Sequence, residues 1–437
     1  KFHNENYGSD YPYSNFKDGF KAELFNPDEW ANIFKRSGAK YVVLTSKHHD
    51  GYCLFPSTEA SESYGMAWNS EESGPERDLV GDLTSAVKNA GLKMGLYYSI
   101  WDWYNPYWPK EQQSILSKGS MAVNFKGGIS KNNKFSNEEI ETAQKGLDKY
   151  IDKVMLPQLK QLVTNYEPAL LFSDGDWWMD YKKWRTLPFL SWALNNAPNK
   201  EELVFNDRWG KVRGKHGGYY TTEYGSGFAD GTTPWEENRG IGMSFGINRI
   251  ENIDDYRTDK ELIFMLVDIV SRGGNLLLNI GPNADGTIPV IMQQRLIEIG
   301  NWLSVYGEGI YDTKQWMKDA QWSSGIIPSF TKNDFHAGFP IYEMTINPKK
   351  GNAVKEFWFT KKGNNLYAFA PEWPKNINIL IEDVKTTIKT EVKLMGCEKS
   401  LPYTETNNGI IVDISSITIH DLKSQYVFGF KVSNVIE

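Results

Sequence analysis

Two kinds of hydrophobic spacing divide the chain, and the change falls near residue 316. Before it, apolar residues at helical spacing alternate with short continuous apolar runs. Asn26-Pro27 opens one helix as N-cap and first-turn proline, with Trp30, Ile33 and Phe34 on one face, and Gly38 ends it. Tyr41-Val42-Val43-Leu44 follows as a buried strand. Leu79, Leu83, Ala86 and Val87 mark the next helix, stopped by Gly91, and Met94-Gly95-Leu96-Tyr97-Tyr98 the next strand. A long helical pattern runs over 140–163 and is interrupted by Pro157. Strand-like runs recur at Leu170-Leu171-Phe172, Leu203-Val204-Phe205, Tyr219-Tyr220 and Leu276-Leu277-Leu278, with helices over 262–270 and 296–305. Buried strands alternating with helices imply a mostly parallel sheet with helices outside.

From about residue 316 the runs are short and alternating: 356–360, 365–369, 377–381, 392–395, 409–414 and 426–430. Turn residues such as Lys362-Gly363-Asn364 separate them, which reads as an antiparallel β-sandwich. The expected organisation is an α/β domain over 1–315 and a β-sandwich over 316–437. The stretch Lys126-Gly127-Gly128-Ile129-Ser130-Lys131 reads as a polar loop.

Polar strand ends choose between the α/β architectures. Lys47-His48-His49-Asp50, Tyr98-Ser99, Ser173-Asp174, Asn206-Asp207-Arg208, Glu223 and Asn279 each close an apolar run. Barrel enzymes build sites from the carboxyl ends of several strands, whereas a doubly wound sheet concentrates chemistry in one crevice, often beside a glycine-rich phosphate loop. No G-x-G-x-x-G follows a strand and no G-K-[ST] occurs. A (β/α)8-like, TIM-type barrel is the expected fold.

Composition narrows the function. With 48 basic and 55 acidic residues the net charge is −7, and no long basic run occurs, so nucleic acid is not an expected partner. No apolar run approaches the roughly 18 residues of a membrane span. Cys53 and Cys397 are the only cysteines, which excludes a disulfide scaffold and a four-cysteine zinc site. Sixteen Trp and 23 Tyr offer many flat faces to a ligand, or else fill a large core. The chain starts at Lys1 with nothing that reads as a signal peptide, as a processed or trimmed form would.

Asp174 stands where an apolar strand ends before Gly175, placed to attack an anomeric carbon or hold a cation; a turn cap is the plainer role. Glu223 closes a second strand in Tyr220-Thr221-Thr222-Glu223-Tyr224. If Tyr224 packs over it, partial desolvation raises its pKa toward that of a general acid; a surface glutamate is the alternative. Two carboxylates about 5–5.5 Å apart are what a retaining glycosidase requires. Trp235-Glu236 offers a competing acid. His48 and His49 can both face one site only if their strand has ended before them. His3, His216, His336 and His420 are scattered and no H-E-x-x-H occurs, so no metal or other cofactor is expected. Hydrogen bonding to sugar hydroxyls suits the two imidazoles better. Tyr97-Tyr98-Ser99-Ile100-Trp101-Asp102-Trp103-Tyr104 could wall a sugar pocket, and Arg208 could orient a carboxylate or bind a hydroxyl.

These residues resemble a known family. Ser46-Lys47-His48-His49-Asp50-Gly51, Gly95-Leu96-Tyr97-Tyr98-Ser99, Ser173-Asp174-Gly175, Asn206-Asp207-Arg208-Trp209-Gly210, Tyr220-Thr221-Thr222-Glu223-Tyr224 and Trp235-Glu236 occur in order. So arranged, they are similar to the motifs of the glycoside hydrolase family 29 α-L-fucosidases, and Ser244-Phe245-Gly246 and 276–282 extend the match. The resemblance implies a retaining exo-glycosidase that removes terminal α-L-fucose from oligosaccharides or glycoconjugates. It implies Asp174 as nucleophile and Glu223 as acid/base, with Glu236 at the place other members use. His48 and His49 match fucose-hydroxyl ligands, Tyr98 a pocket tyrosine, Arg208 a fucose-contacting arginine and Phe245 a pocket phenylalanine. Phe172 stands where the family often has Trp, keeping an apolar wall without the indole donor; with Phe245 and Tyr98 it is a candidate to receive the fucose methyl. Family habit implies a secreted or periplasmic protein and leaves the oligomeric state open. The family's first strand, Phe-Ile-His-Trp-Gly, has no counterpart, so a native protein longer at its N-terminus is expected, testable by its intact mass against 50.0 kDa. The rival readings are a retaining exo-glycosidase for another sugar and a glycan-binding protein without activity; a panel of aryl glycosides separates them.

Overall fold

The computed structural model describes residues 2–116, 135–177, 179–210, 218–224, 233–328 and 348–436, so the polar stretch at 126–131 lies outside the described residues. The chain divides into two compact units. One holds Lys1–Lys35, Ala39–Tyr219 and Pro282–Thr287; the other holds Arg36–Gly38, Tyr220–Gly281 and Ile288–Glu437.

The first unit contains a parallel sheet of β1 (Tyr41–Lys47), β2 (Lys93–Ser99), β3 (Leu170–Asp174) and β4 (Val204–Phe205), ordered as they occur in the chain. Helices carry the chain between the strands. Helix Leu79–Asn89 buries Leu79, Val80, Leu83, Ala86 and Val87, and the Asp78 carboxylate caps it by accepting from Gly81 N. Helix Pro27–Arg36 is capped by Asn26, which accepts from Glu29 N at 3.1 Å. The long helical pattern is broken where Pro157 demands it. Helix Asn137–Tyr150 passes through one wide turn, Ile151–Met155, into helix Leu156–Tyr166 with the proline in its first turn. Pro157 has no N–H to give and would crowd the carbonyl of residue 153 in a regular helix; a π-type turn absorbs both conflicts.

The second unit opens with three parallel strands, β5 (Tyr220–Glu223), β6 (Trp235–Gly240) and β7 (Gly274–Asn279). Helices Asp259–Ser271 and Val290–Tyr306 follow β6 and β7. β6 has no counterpart in the sequence reading, because Trp-Glu-Glu-Asn-Arg-Gly is not a strand-forming composition. It is nonetheless buried: Glu237 accepts from Thr222 on β5 and, at 2.7 Å, from Arg239 Nε.

The remaining strands are antiparallel: β8 (Lys314–Trp322), β9 (Lys355–Lys362), β10 (Asn365–Ala370), β11 (Asn378–Glu382), β12 (Glu391–Leu394), β13 (Ser400–Leu401), β14 (Tyr403–Thr406), β15 (Gly409–Asp413) and β16 (Phe428–Ser433). They form a six-stranded sheet, β13-β12-β16-β10-β9-β8, and a three-stranded sheet, β11-β15-β14. Phe357, Phe359, Leu366, Ile379, Ile381, Ile410, Val412 and Phe430 share one core, the alternation of each strand sending its apolar residues inward. Within this unit a buried ion cluster ties helix Asp259–Ser271 to β9. Asp268 accepts from Lys355 Nζ at 2.8 Å, Arg272 Nε at 3.0 Å and Trp358 Nε1 at 3.1 Å. Among the described residues no helix is long and apolar enough to cross a membrane.

Candidate active site

Strand register gathers the polar residues of the first unit. β2 and β3 pair in parallel with Tyr97 opposite Phe172 and Ser99 opposite Asp174. Opposed residues of a parallel pair share a face and neighbours alternate, so Tyr97, Ser99, Phe172 and Asp174 lie together while Tyr98 and Ser173 turn away. β1 carries a register shift between Thr45 and Lys47 and ends there, so His48 and His49 are freed from strand alternation. Their rings lie 4.0 Å apart between centroids, and both reach the same corner. His48 stacks on Tyr97, and His49 packs against Trp103 and Trp177.

Asp174 is the hub. Its Oδ2 accepts from the Tyr97 hydroxyl at 2.9 Å, its Oδ1 accepts from Arg208 Nη1 at 3.1 Å, and His49 Nε2 stands 3.7 Å from Oδ2. Burial alone would raise this carboxyl. The Arg208 guanidinium foremost, with the Tyr97 hydroxyl and the Gly175 backbone, outweighs burial and holds it below the usual carboxylate range. Burial, followed by the neighbouring His48, pushes the His49 imidazole down to about 3 in spite of Asp174. A ring that is neutral at ordinary pH adds no charge to Asp174, so Arg208 is the cation that keeps it ionised.

The supports of this carboxylate are built as firmly as its partners. β4 is only two residues long, and the Asn206 side chain extends its ladder: Nδ2 donates to Ser173 O at 2.8 Å and Oδ1 accepts from Ser173 N at 3.0 Å. Gly175 holds φ at +83°, and a Cβ there would fall 2.7 Å from Trp101 Cβ, so the turn after Asp174 admits glycine only.

The structure thus brings together Asp174, Arg208, His48, His49 and Phe172 of the residues singled out from sequence. It corrects the expectation for Tyr98. That side chain is fully buried on the opposite face, donating to Gln158 Oε1 at 2.7 Å and accepting from Lys47 Nζ at 3.1 Å. The tyrosine at the carboxylate is Tyr97, which only the register between β2 and β3 reveals. Phe172 is also fully buried, stacked under Tyr97 and beneath Arg208, whose guanidinium carbon is 5.0 Å from its ring centre; it supports the site's polar groups and offers no open wall. Ser99 and Trp103 belong to the aromatic run over 97–104, where the linear pattern ranks no single residue, and Trp177 has no signal in sequence; all three meet His49.

In the second unit Glu223 is the last residue of β5 and half-buried. β5 and β6 pair with Thr221 opposite Glu236 and Glu223 opposite Asn238. Glu223 and Glu236 therefore share one face, with Glu236 two residues nearer the amino end and only 2% exposed. Tyr224, at φ +49°, lays its ring against Phe245 at 5.3 Å and accepts from Gly240 N at 3.0 Å. Phe245 is half-buried. Within the first unit, a carboxylate held ionised at a strand end has the chemistry of a nucleophile; within the second, Glu223 is a carboxyl accessible enough to exchange protons.

Comparison with known proteins puts these groups in context. A family described as Alpha-L-fucosidase matches residues 1–308, and one described as Alpha-L-fucosidase C-terminal domain matches 350–433. An alpha-L-fucosidase of Dictyostelium discoideum is 36% identical over 100% of this chain and 82% of that protein. The plasma alpha-L-fucosidase of Homo sapiens is 35% identical over 100% of this chain and 81% of its own. The crystal structure of Thermotoga maritima alpha-fucosidase with a mechanism-based inhibitor superposes with a TM-score of 0.69 at 30% identity, covering 99% of this chain and 84% of that one. The fold is accordingly a (β/α)8-like, TIM-type barrel followed by an antiparallel β-sandwich.

Proposed function

Because the chain belongs to the α-L-fucosidases of glycoside hydrolase family 29, and is on that ground a hydrolase of terminal α-L-fucose, we propose that Asp174 is its nucleophile. Asp174 attacks the anomeric carbon and the glycosidic bond breaks, giving a fucosyl-enzyme ester; water then cleaves that ester, so two inversions retain the α configuration. The observation that carries this reading is the donor set on Asp174. Arg208 and Tyr97 each hold one oxygen, which keeps the group ionised and aimed before substrate arrives.

For the acid/base we propose Glu223. It protonates the leaving oxygen in the first step and takes a proton from water in the second, so its carboxyl must exchange with solvent. Its place at the carboxyl end of β5, half-buried, meets that need, whereas Glu236 lies deeper on the same face. His48 and His49 serve as ligands of fucose hydroxyls, with Tyr97 in the place expected of Tyr98. Phe245, resting on Tyr224, is the apolar surface we assign to the fucose methyl. The plasma enzymes among the relatives support a secreted protein acting on fucosylated glycans. The test is hydrolysis of an aryl α-L-fucoside, compared with the matching galactoside, by the protein and by Asp174→Ala. Turnover of the fucoside should fall by several orders of magnitude in the variant.

A further inference from the structure

Ser99 ends β2 and is fully buried. Its Oγ lies 2.6 Å from the Trp101 carbonyl oxygen and 2.6 Å from His49 Nδ1. A hydroxyl has one proton, and a carbonyl oxygen can only accept. The Ser99 proton therefore goes to Trp101. The contact with His49 is then a hydrogen bond only if Nδ1 carries the hydrogen and donates to Ser99. In a neutral ring that leaves Nε2 without a proton, as an acceptor. Burial and the adjacent His48 keep this ring neutral at ordinary pH. Its Nε2 opens beside the nucleophile, 3.7 Å from Asp174 Oδ2.

We propose that Ser99 is a positioning residue for the fucosidase reaction: by accepting the Nδ1 hydrogen it fixes His49 in the tautomer whose Nε2 accepts a hydrogen bond from a fucose hydroxyl next to Asp174. The proposal rests on the reading of Asp174 and His49 given above. The opposite tautomer would fail twice. Its Nε2–H could not take the hydroxyl's proton, and it would point at Asp174 Oδ2, where a hydrogen bond would make the nucleophile less basic. A serine at the end of β2 thus decides the hydrogen-bonding sense of a ring on β1's exit, as an outer partner orients a ligand in a metal site.

The experiment pairs Ser99→Ala with aryl α-L-fucosides lacking the 2-, 3- or 4-hydroxyl, each rate taken relative to wild type on the same substrate. On the parent fucoside kcat/KM should fall roughly tenfold, the scale of one hydrogen bond to a charged or strongly polarised site. On the one deoxy substrate that lacks the hydroxyl His49 receives, the ratio should shrink to about twofold or less. A merely structural role for Ser99 would give the same loss on all four substrates, and that result overturns the proposal. Nitrogen-15 spectra of the full chain with labelled histidine provide a readout independent of activity. Wild type should show His49 protonated at Nδ1 and bare at Nε2; a protonated Nε2 also overturns the proposal, even if Ser99→Ala does not fold. Intact turnover in Asp174→Ala would instead remove the reading of the site and leave the tautomer result standing on its own.

Discussion

The Arg208 guanidinium stands 3.1 Å from Asp174 Oδ1 and lies over the Phe172 ring, two residues before that carboxylate on the same strand. A buried cation is expensive to desolvate, and here an aromatic face and a carboxylate share that cost between them. The arrangement makes the charge state of Asp174 a property of Arg208, which is testable.

Arg208→Gln should lower kcat/KM at least about 100-fold, as expected for removal of a preorganised charged donor. It should also move the acid limb of the pH–rate profile. Asp174 sits below its ordinary pKa because Arg208 opposes the effect of burial, so the active ionised form persists as pH falls. Without the guanidinium the pKa rises and activity is lost at higher pH than in wild type. A profile whose acid limb stays in place would show that Arg208 does not govern Asp174.

Tyr97 and Tyr98 are neighbours with opposite duties. Tyr97→Phe removes a donor to Asp174 and should cut kcat/KM by roughly 10- to 100-fold with little change in stability. Tyr98→Phe leaves Gln158 and Lys47 short of a buried partner and should destabilise the fold by about 1–3 kcal/mol while the folded enzyme turns over nearly as before. Steady-state kinetics beside denaturant titration of each variant checks both halves.

Azide distinguishes the two candidate acids. Added to Glu223→Ala, it should attack the fucosyl-enzyme and release α-fucosyl azide, raising the turnover of an aryl fucoside with a good leaving group. Glu236→Ala should give no such product. The reverse pattern would move the acid/base role to Glu236, and proton NMR of the isolated azide reads the anomeric configuration.

Asp268 is buried and receives three donors, one from Arg272 at the C-cap of its own helix and two from β9. Asp268→Ala leaves Lys355 and Arg272 as buried cations without their shared carboxylate and should cost roughly 3–5 kcal/mol. Asp319→Ala removes only the more exposed partner of Lys355 and should cost about 1 kcal/mol or less. Chemical denaturation of both variants measures the contrast.

Much of this was legible in the linear pattern, for identifiable reasons. Strands such as Tyr41–Lys47 and Leu170–Asp174 are hydrophobic runs ending in polar residues, and burial dictates both features. Asp174, Arg208, His48 and His49 could be read because each closes such a run. β6 could not, since its Glu237 and Arg239 enter a strand only by satisfying each other and Thr222. Tyr97 and Tyr98 are indistinguishable in sequence: choosing between them needs the pairing register of β2 with β3, a non-local fact. Ser99 is visible in sequence as a polar strand end, but its contact with His49 is not, as that partner lies 50 residues away on the exit of β1.

The role of Asp174 is tested most directly by trapping the covalent intermediate. A 2-deoxy-2-fluoro-α-L-fucosyl fluoride slows both chemical steps but keeps a good leaving group, so a fucosyl-enzyme should accumulate. Peptide mapping by mass spectrometry should find one fluorofucosyl group on the peptide containing Asp174 and place it on that side chain. The same adduct on any other carboxylate, or full turnover retained by Asp174→Ala, would contradict the account.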